Sequence, residues 1–187
     1  MPVLSAWRVV LLAPLTLLAL PLTAAVAQPS GPHPRVLLRE DVVLAWRAQQ
    51  ADPASPVARS IARCDDAVAN PEDYVDGQYQ GFRWVEALTA CLVARATTEL
   101  PAHEAAAKLY LNALLDDRSA LGDGLGPDYN DGVGIVSQDT GYSMRTHGVF
   151  AALGYDWLHD ALSAAERQKA RTRFAQWVAF HQEPDTY

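Results

Sequence analysis

Apolar positions return every three to four residues along most of this chain, and no segment shows the strict alternation of a half-buried strand. The first clear helical pattern spans residues 40–50, with Val43, Leu44 and Trp46 on its apolar face. Asp52-Pro53-Ala54-Ser55-Pro56 interrupts it, and Ser55 followed by Pro56 supplies an N-cap and a first-turn proline for a second helix reaching about residue 70. Val57, Ile61, Cys64 and Val68 mark its buried stripe. After the turn Asn70-Pro71-Glu72-Asp73, a long helix over 79–98 carries Phe82, Trp84, Val85, Leu88, Cys91, Leu92 and Val93. Apolar residues on so much of its circumference predict a largely buried helix. Three further helices are predicted over 101–116, 142–160 and 163–183. The series is therefore six helices without a strand, an all-α chain built as a stack of α-hairpins. One connection, 117–141, is long and rich in glycine and aspartate, and its length suits either a binding loop or a surface excursion.

Gly154-Tyr155-Asp156-Trp157-Leu158-His159-Asp160-Ala161-Leu162-Ser163-Ala164-Ala165-Glu166-Arg167 reads as a helix end, a tight turn and a new helix starting on a capping box. In that box Ser163 accepts from the Glu166 amide while the Glu166 carboxylate reaches back to Ser163. Together with His33-Pro34-Arg35-Val36-Leu37-Leu38 and the helix after it, this hairpin resembles the N-terminal α/α toroid of heparinase II/III-like and alginate-lyase-like polysaccharide lyases. The resemblance implies that the six helices form part of an (α/α) toroid. A full ring of six hairpins needs about twice as many helices, so residues 28–187 are expected to be an incomplete toroid without the C-terminal β-sandwich usual in such lyases.

The N-terminus changes the picture of where the protein works. Residues 1–27 combine one cation, Arg8, with an apolar run and the small-residue exit Ala25-Val26-Ala27, the pattern of a secretory signal peptide cleaved after Ala27. A retained membrane anchor is the rival reading, which Pro14 and Pro21 disfavour. Export to the periplasm or the extracellular space is therefore expected, with no membrane attachment after cleavage. Removing 1–27 takes the net charge from −7 to −8. So acidic a chain lacks the basic footprint of nucleic-acid binding. An acidic polysaccharide would have to be met by a local cationic cluster. Cys64 and Cys91 fall on neighbouring predicted helices, where an oxidising compartment permits a disulfide; two buried free thiols are the alternative. Neither a zinc-ligand spacing nor a calcium-loop frame is present, and no cofactor is implied.

A lyase of the resembled kind removes the proton alpha to a uronate carboxylate and expels the glycosidic oxygen. The carboxylate has to be neutralised, a base must take the proton, and an acid such as tyrosine must protonate the leaving group. The resemblance implies asparagine, histidine, tyrosine and arginine in these roles. Yet Asn70, Asn112 and Asn130 are the only asparagines and none adjoins a histidine, so the compact asparagine-histidine motif is expected beyond Tyr187. Within the chain the best constellation is Gln138-Asp139-Thr140-Gly141-Tyr142-Ser143-Met144-Arg145-Thr146-His147. Here Tyr142 and His147 are candidate catalytic residues, as acid and base, while Arg145, Asp139 and Gln138 are candidate substrate-binding residues. Arg145 suits bidentate capture of a sugar carboxylate, although His147 beside Gly148-Val149-Phe150 also reads as a core histidine. Tyr142 and His147 stand about 140° apart around a regular helix, so sharing one pocket requires a bent helix start.

Tyr155, Asp156, His159 and Asp160 form a second polar stripe, read as structural. Gln78, Tyr79 and Arg83 are candidates for a rim beside the long loop. Trp84, Trp157 and Trp177 read as core, and His103 and His181 as surface residues. Two other functions remain open. A glycoside hydrolase on the same toroid would need two carboxylates flanking the scissile bond, with Asp139 and Asp156 as candidates. A non-catalytic helical module would use the long loop to grip a glycan or a protein.

Overall fold

In a computed structural model the described residues are 31–75, 77–78, 81–116 and 144–182. Among them the chain is all-helical and has no strand. Its α-helices are α1 (Glu40–Gln49), α2 (Pro56–Ala69), α3 (Phe82–Thr98), α4 (Pro101–Asp116), α5 (Val149–Leu158) and α6 (Ala164–Gln182). No helix of the described residues is long and apolar enough to cross a membrane. The predicted signal peptide and the predicted loop 117–141 lie outside the described residues.

Local chemistry sets the helix boundaries. Ser55 caps α2 by accepting from the Ala58 amide at 3.0 Å, with Pro56 in the first turn. At the start of α6 the capping box is reciprocal: the Ser163 amide donates to Glu166 Oε2 at 2.7 Å, and the Glu166 amide donates to Ser163 Oγ at 3.2 Å. The Ser163 amide first, and the Ser163 hydroxyl after it, hold the Glu166 carboxyl below the usual carboxylate range. Only Glu99 and Leu100 separate α3 from α4, and Glu99 takes a left-handed conformation (φ 57°) that turns the chain back into an antiparallel hairpin.

The core is organised around α3, which packs on α1, α2, α4 and α5. Trp84, Leu88, Cys91 and Leu92 on it are buried, and Trp84 Nε1 donates to the Tyr74 carbonyl at 3.0 Å from the 3₁₀ turn Pro71–Tyr74. Gly77 lies so close to this indole that an added Cβ would stand 2.7 Å from a ring carbon. Cys64 of α2 and Cys91 of α3 are joined in a disulfide with Cα atoms 4.8 Å apart. Helix α6 docks on the end of α4, with its Ala170 and Trp177 buried. Beside that apolar stripe, Lys169 bonds Asn112 Oδ1 and Asp116 Oδ1, and Arg173 Nε donates to the Leu115 carbonyl at 2.6 Å.

Two sequence expectations need correction. The buried stripe of α2 runs through Val57, Cys64 and Ala67, leaving Val68 40% exposed, because the helix turns its Ala67 side toward α3 and the Tyr74 buttress. His103 is buried instead of superficial. It sits in the first turn of α4 and bridges Asp65 Oδ1 (2.7 Å) on α2 and Thr98 Oγ1 (2.8 Å) on α3, so its polar neighbours are bonding partners. Trp84, Trp157 and Trp177 do lie in the core.

Candidate functional site

The constellation predicted at the exit of the long connection is only partly within the described residues: Gln138, Asp139 and Tyr142 lie outside them. The chain enters α5 through a five-residue π-helical turn, Met144–Gly148, in place of a regular first turn. Arg145 is exposed on this turn, whereas His147 is fully buried. Its Nε2 lies 2.9 Å from the Leu114 carbonyl, and since a carbonyl can only accept, Nε2 carries the hydrogen. The His147 ring stands edge-on to Trp177 with centroids 5.4 Å apart. The turn therefore divides its two candidates between surface and core, and in this conformation His147 has no direct path to a bulky glycan.

The structure assembles a second polar cluster from residues distant in sequence. Asp156, only 7% exposed on the otherwise apolar α5, accepts three hydrogen bonds from the segment before α1. His33 Nδ1 lies 2.5 Å from Oδ1, and the Arg35 and Val36 amides donate to Oδ2 at 2.8 and 2.9 Å. The next residue, Trp157, adds a bond from Nε1 to the Val36 carbonyl at 2.8 Å. Oδ2 thus takes both backbone amides and Oδ1 meets the imidazole, so both oxygens of the carboxyl are engaged.

Around this anchor the His33 ring stacks on His159 at 3.8 Å between centroids, and Tyr155 stands edge-on to both. His159 Nδ1 is 2.9 Å from Asp160 Oδ1, which holds the Asp160 carboxyl below its ordinary value. The stack could be taken for a metal-binding pair, but two nearly parallel rings (17°) aim their in-plane lone pairs side by side and cannot converge on one ion. Among the described residues no group of three or more histidine, cysteine, aspartate or glutamate side chains could hold a metal.

This cluster binds the two segments singled out in the sequence, His33-Pro34-Arg35-Val36 and Gly154-Tyr155-Asp156-Trp157, into one unit. The sequence placed Asp156 on a polar stripe but did not identify His33 as its partner. A charge inside an apolar helix was the available signal, since a buried carboxylate needs donors. Gln78 is exposed with a left-handed backbone (φ 55°), and Arg83 Nη1 bonds the Asp73 carbonyl beside Tyr74; Tyr79 lies outside the described residues.

Comparison with known proteins adds no assignment: no family model, curated protein or solved structure matches the chain.

Proposed function

We propose that this chain forms the α/α-toroid portion of an exported polysaccharide lyase that opens a uronate-containing glycan by β-elimination. The observation that carries the reading is the clasp between His33-Pro34-Arg35-Val36 and Asp156-Trp157, because the two segments on which the resemblance rests are in direct contact. The hairpin α3–α4 and the all-helical architecture agree with a toroid segment. The Cys64–Cys91 disulfide agrees with an oxidising compartment, periplasmic or extracellular. In this proposal the exit of the 117–141 connection faces substrate: Arg145, with Gln138 and Asp139, holds the uronate carboxylate, and Tyr142 donates the proton to the leaving oxygen. His147 serves as base only if the π-helical turn rearranges to expose it.

The commitments of Asp156 weigh against the hydrolase alternative. A carboxylate that accepts two backbone amides and a histidine has no free oxygen with which to protonate a glycosidic bond or to attack a sugar. The deciding experiment is to express the full reading frame that contains this chain and incubate it with polymannuronate, heparan sulfate and chondroitin. Ultraviolet absorbance of an unsaturated sugar product is expected with at least one polymer. Saturated products, or none from any uronate polymer, would overturn the proposal.

A further inference from the structure

One edge of the described fold, residues 34–38 with α1, is left uncovered. No residue of α1 is buried, although Val42, Val43, Leu44 and Trp46 stand on it. Among the described residues Leu37 at 70% and Leu44 at 57% are the most exposed large apolar side chains, and Val36 stands at 48%. Leu37 is also held in costly backbone. Its φ is 63°, and the Leu38 amide donates across it to the Val36 carbonyl at 2.7 Å, a γ-turn of the rare positive-φ kind. A residue other than glycine persists there only where its surroundings over-determine it. Those surroundings are α5: the Val36 amide donates to Asp156 Oδ2, and Trp157 Nε1 donates to the Val36 carbonyl. The clasp thus fixes a turn that projects a bare leucine into solvent.

Beside this knob lies a hole. Pro34, Leu38, Val43 and Leu44, with Ala96 of α3, give the apolar walls of an open groove of about 360 Å³, roomy enough for a leucine side chain. We infer that this edge is a two-fold interface between two copies of this chain, in which Leu37 of each copy enters the groove of the other. A knob and a hole on one surface are what such a contact needs, since the same patch must supply both halves.

The charges decide between a second copy and other partners. Arg35, Arg39, Arg47 and Arg95 border the groove and its turn, against Glu40, Asp41, Glu99 and the Glu104 that pairs with Arg95, so this edge is neutral in a chain of net charge −7. Arg39 and Asp41 are paired with each other, as are Arg47 and Glu99. A strongly charged partner gains nothing at such a face, whereas two acidic copies meet there with the least repulsion. The apolar patch is small, which places the contact in the weak, concentration-dependent class. The inference stands apart from the lyase proposal and holds equally for a binding module.

The test is sedimentation velocity of the oxidised chain over about 10 μM to 1 mM, where contacts of this class become populated. A reversible monomer–dimer equilibrium is expected, tightened by added salt because screening relieves the repulsion between acidic copies. Leu37→Asp and Leu44→Asp are each expected to weaken the dimer at least about tenfold, and Val178→Asp, at a comparably exposed position on α6, to leave it unchanged. Leu37→Gly separates the interface from folding, because glycine takes a φ of 63° without strain. Its melting temperature, read at about 10 μM where the chain is largely monomeric, should equal or exceed that of wild type while its dimer is weakened. A monomer throughout the range, a dimer indifferent to Leu37→Asp, an equal loss in Val178→Asp, weakening by salt, or a lower melting temperature in Leu37→Gly would overturn the inference.

Discussion

Replacing Asp156 tests the clasp at its centre. Asp156→Ala removes the acceptor of the Arg35 and Val36 amides and of His33 Nδ1 at once. Hydrogen bonds to a charged group contribute ~1.5–3 kcal/mol each when little water can replace them. His33 and Asp156 are 13% and 10% exposed in their side chains, so water compensates only in part. The expected loss is about 3 kcal/mol, below the simple sum because the released segment rehydrates. In a domain of this size that corresponds to a fall in melting temperature of roughly 6–12 °C. Asp156→Asn separates geometry from charge. Its amide oxygen can still accept from both backbone amides, and its NH₂ can donate to the opposite tautomer of His33, so a loss of only about 1 kcal/mol is expected.

The assay pairs urea denaturation with amide hydrogen exchange. Arg35 and Val36 should lose protection in Asp156→Ala and keep most of it in Asp156→Asn. Stability of the alanine variant within about 0.5 kcal/mol of wild type, with both amides still protected, would refute the reasoning. Equal losses in the two variants would instead show that charge, and not the pattern of donors, holds the segment.

Three further outcomes follow from the packing. Cys64→Ala/Cys91→Ala should cost about 3–4 kcal/mol by releasing a cross-link across 27 positions of sequence, measured by urea denaturation against the oxidised chain. Gly77→Ala should cost about 1–3 kcal/mol, because its Cβ would meet the buried Trp84 ring at 2.7 Å; a thermal melt at or above wild type would count against that contact. For Glu166, the folded carboxyl titrates below its unfolded value. Its contribution is therefore complete above the unfolded pKa of about 4.3 and is lost as pH falls through the lower folded value. Glu166→Gln should accordingly melt below wild type near neutral pH and converge with it in acid, and a gap that persists in acid would show that the charge is not what the capping box uses.

The helices were legible because their causes are local. Ser55-Pro56, Pro101 and the Ser163/Glu166 pair announce helix starts within a few residues, and the apolar periodicity of α3 reports its burial. The assignments that failed depend on which neighbour each helix meets. Val68 and Ala67 are adjacent on α2, and only the position of α3 decides which is covered. His103, beside Glu104 in the first turn of a helix, carried no mark of burial in the sequence, because its partners Asp65 and Thr98 belong to other helices. Within the candidate site, composition identified the types of group in 138–147, but the π-helical turn that exposes Arg145 and buries His147 leaves no mark in the apolar pattern.

The clasp also sets an order of events during synthesis. His33 and Asp156 are 123 positions apart, so the segment before α1 emerges long before its acceptor exists. At ordinary rates of chain elongation the interval is on the order of 10 s, far longer than a helix or a hairpin needs to form. Helices α1 to α4 therefore have time to assemble with Val36 and Leu37 still unanchored. Docking of α5 onto that segment is a late closing step, and its rate reports the completion of the fold.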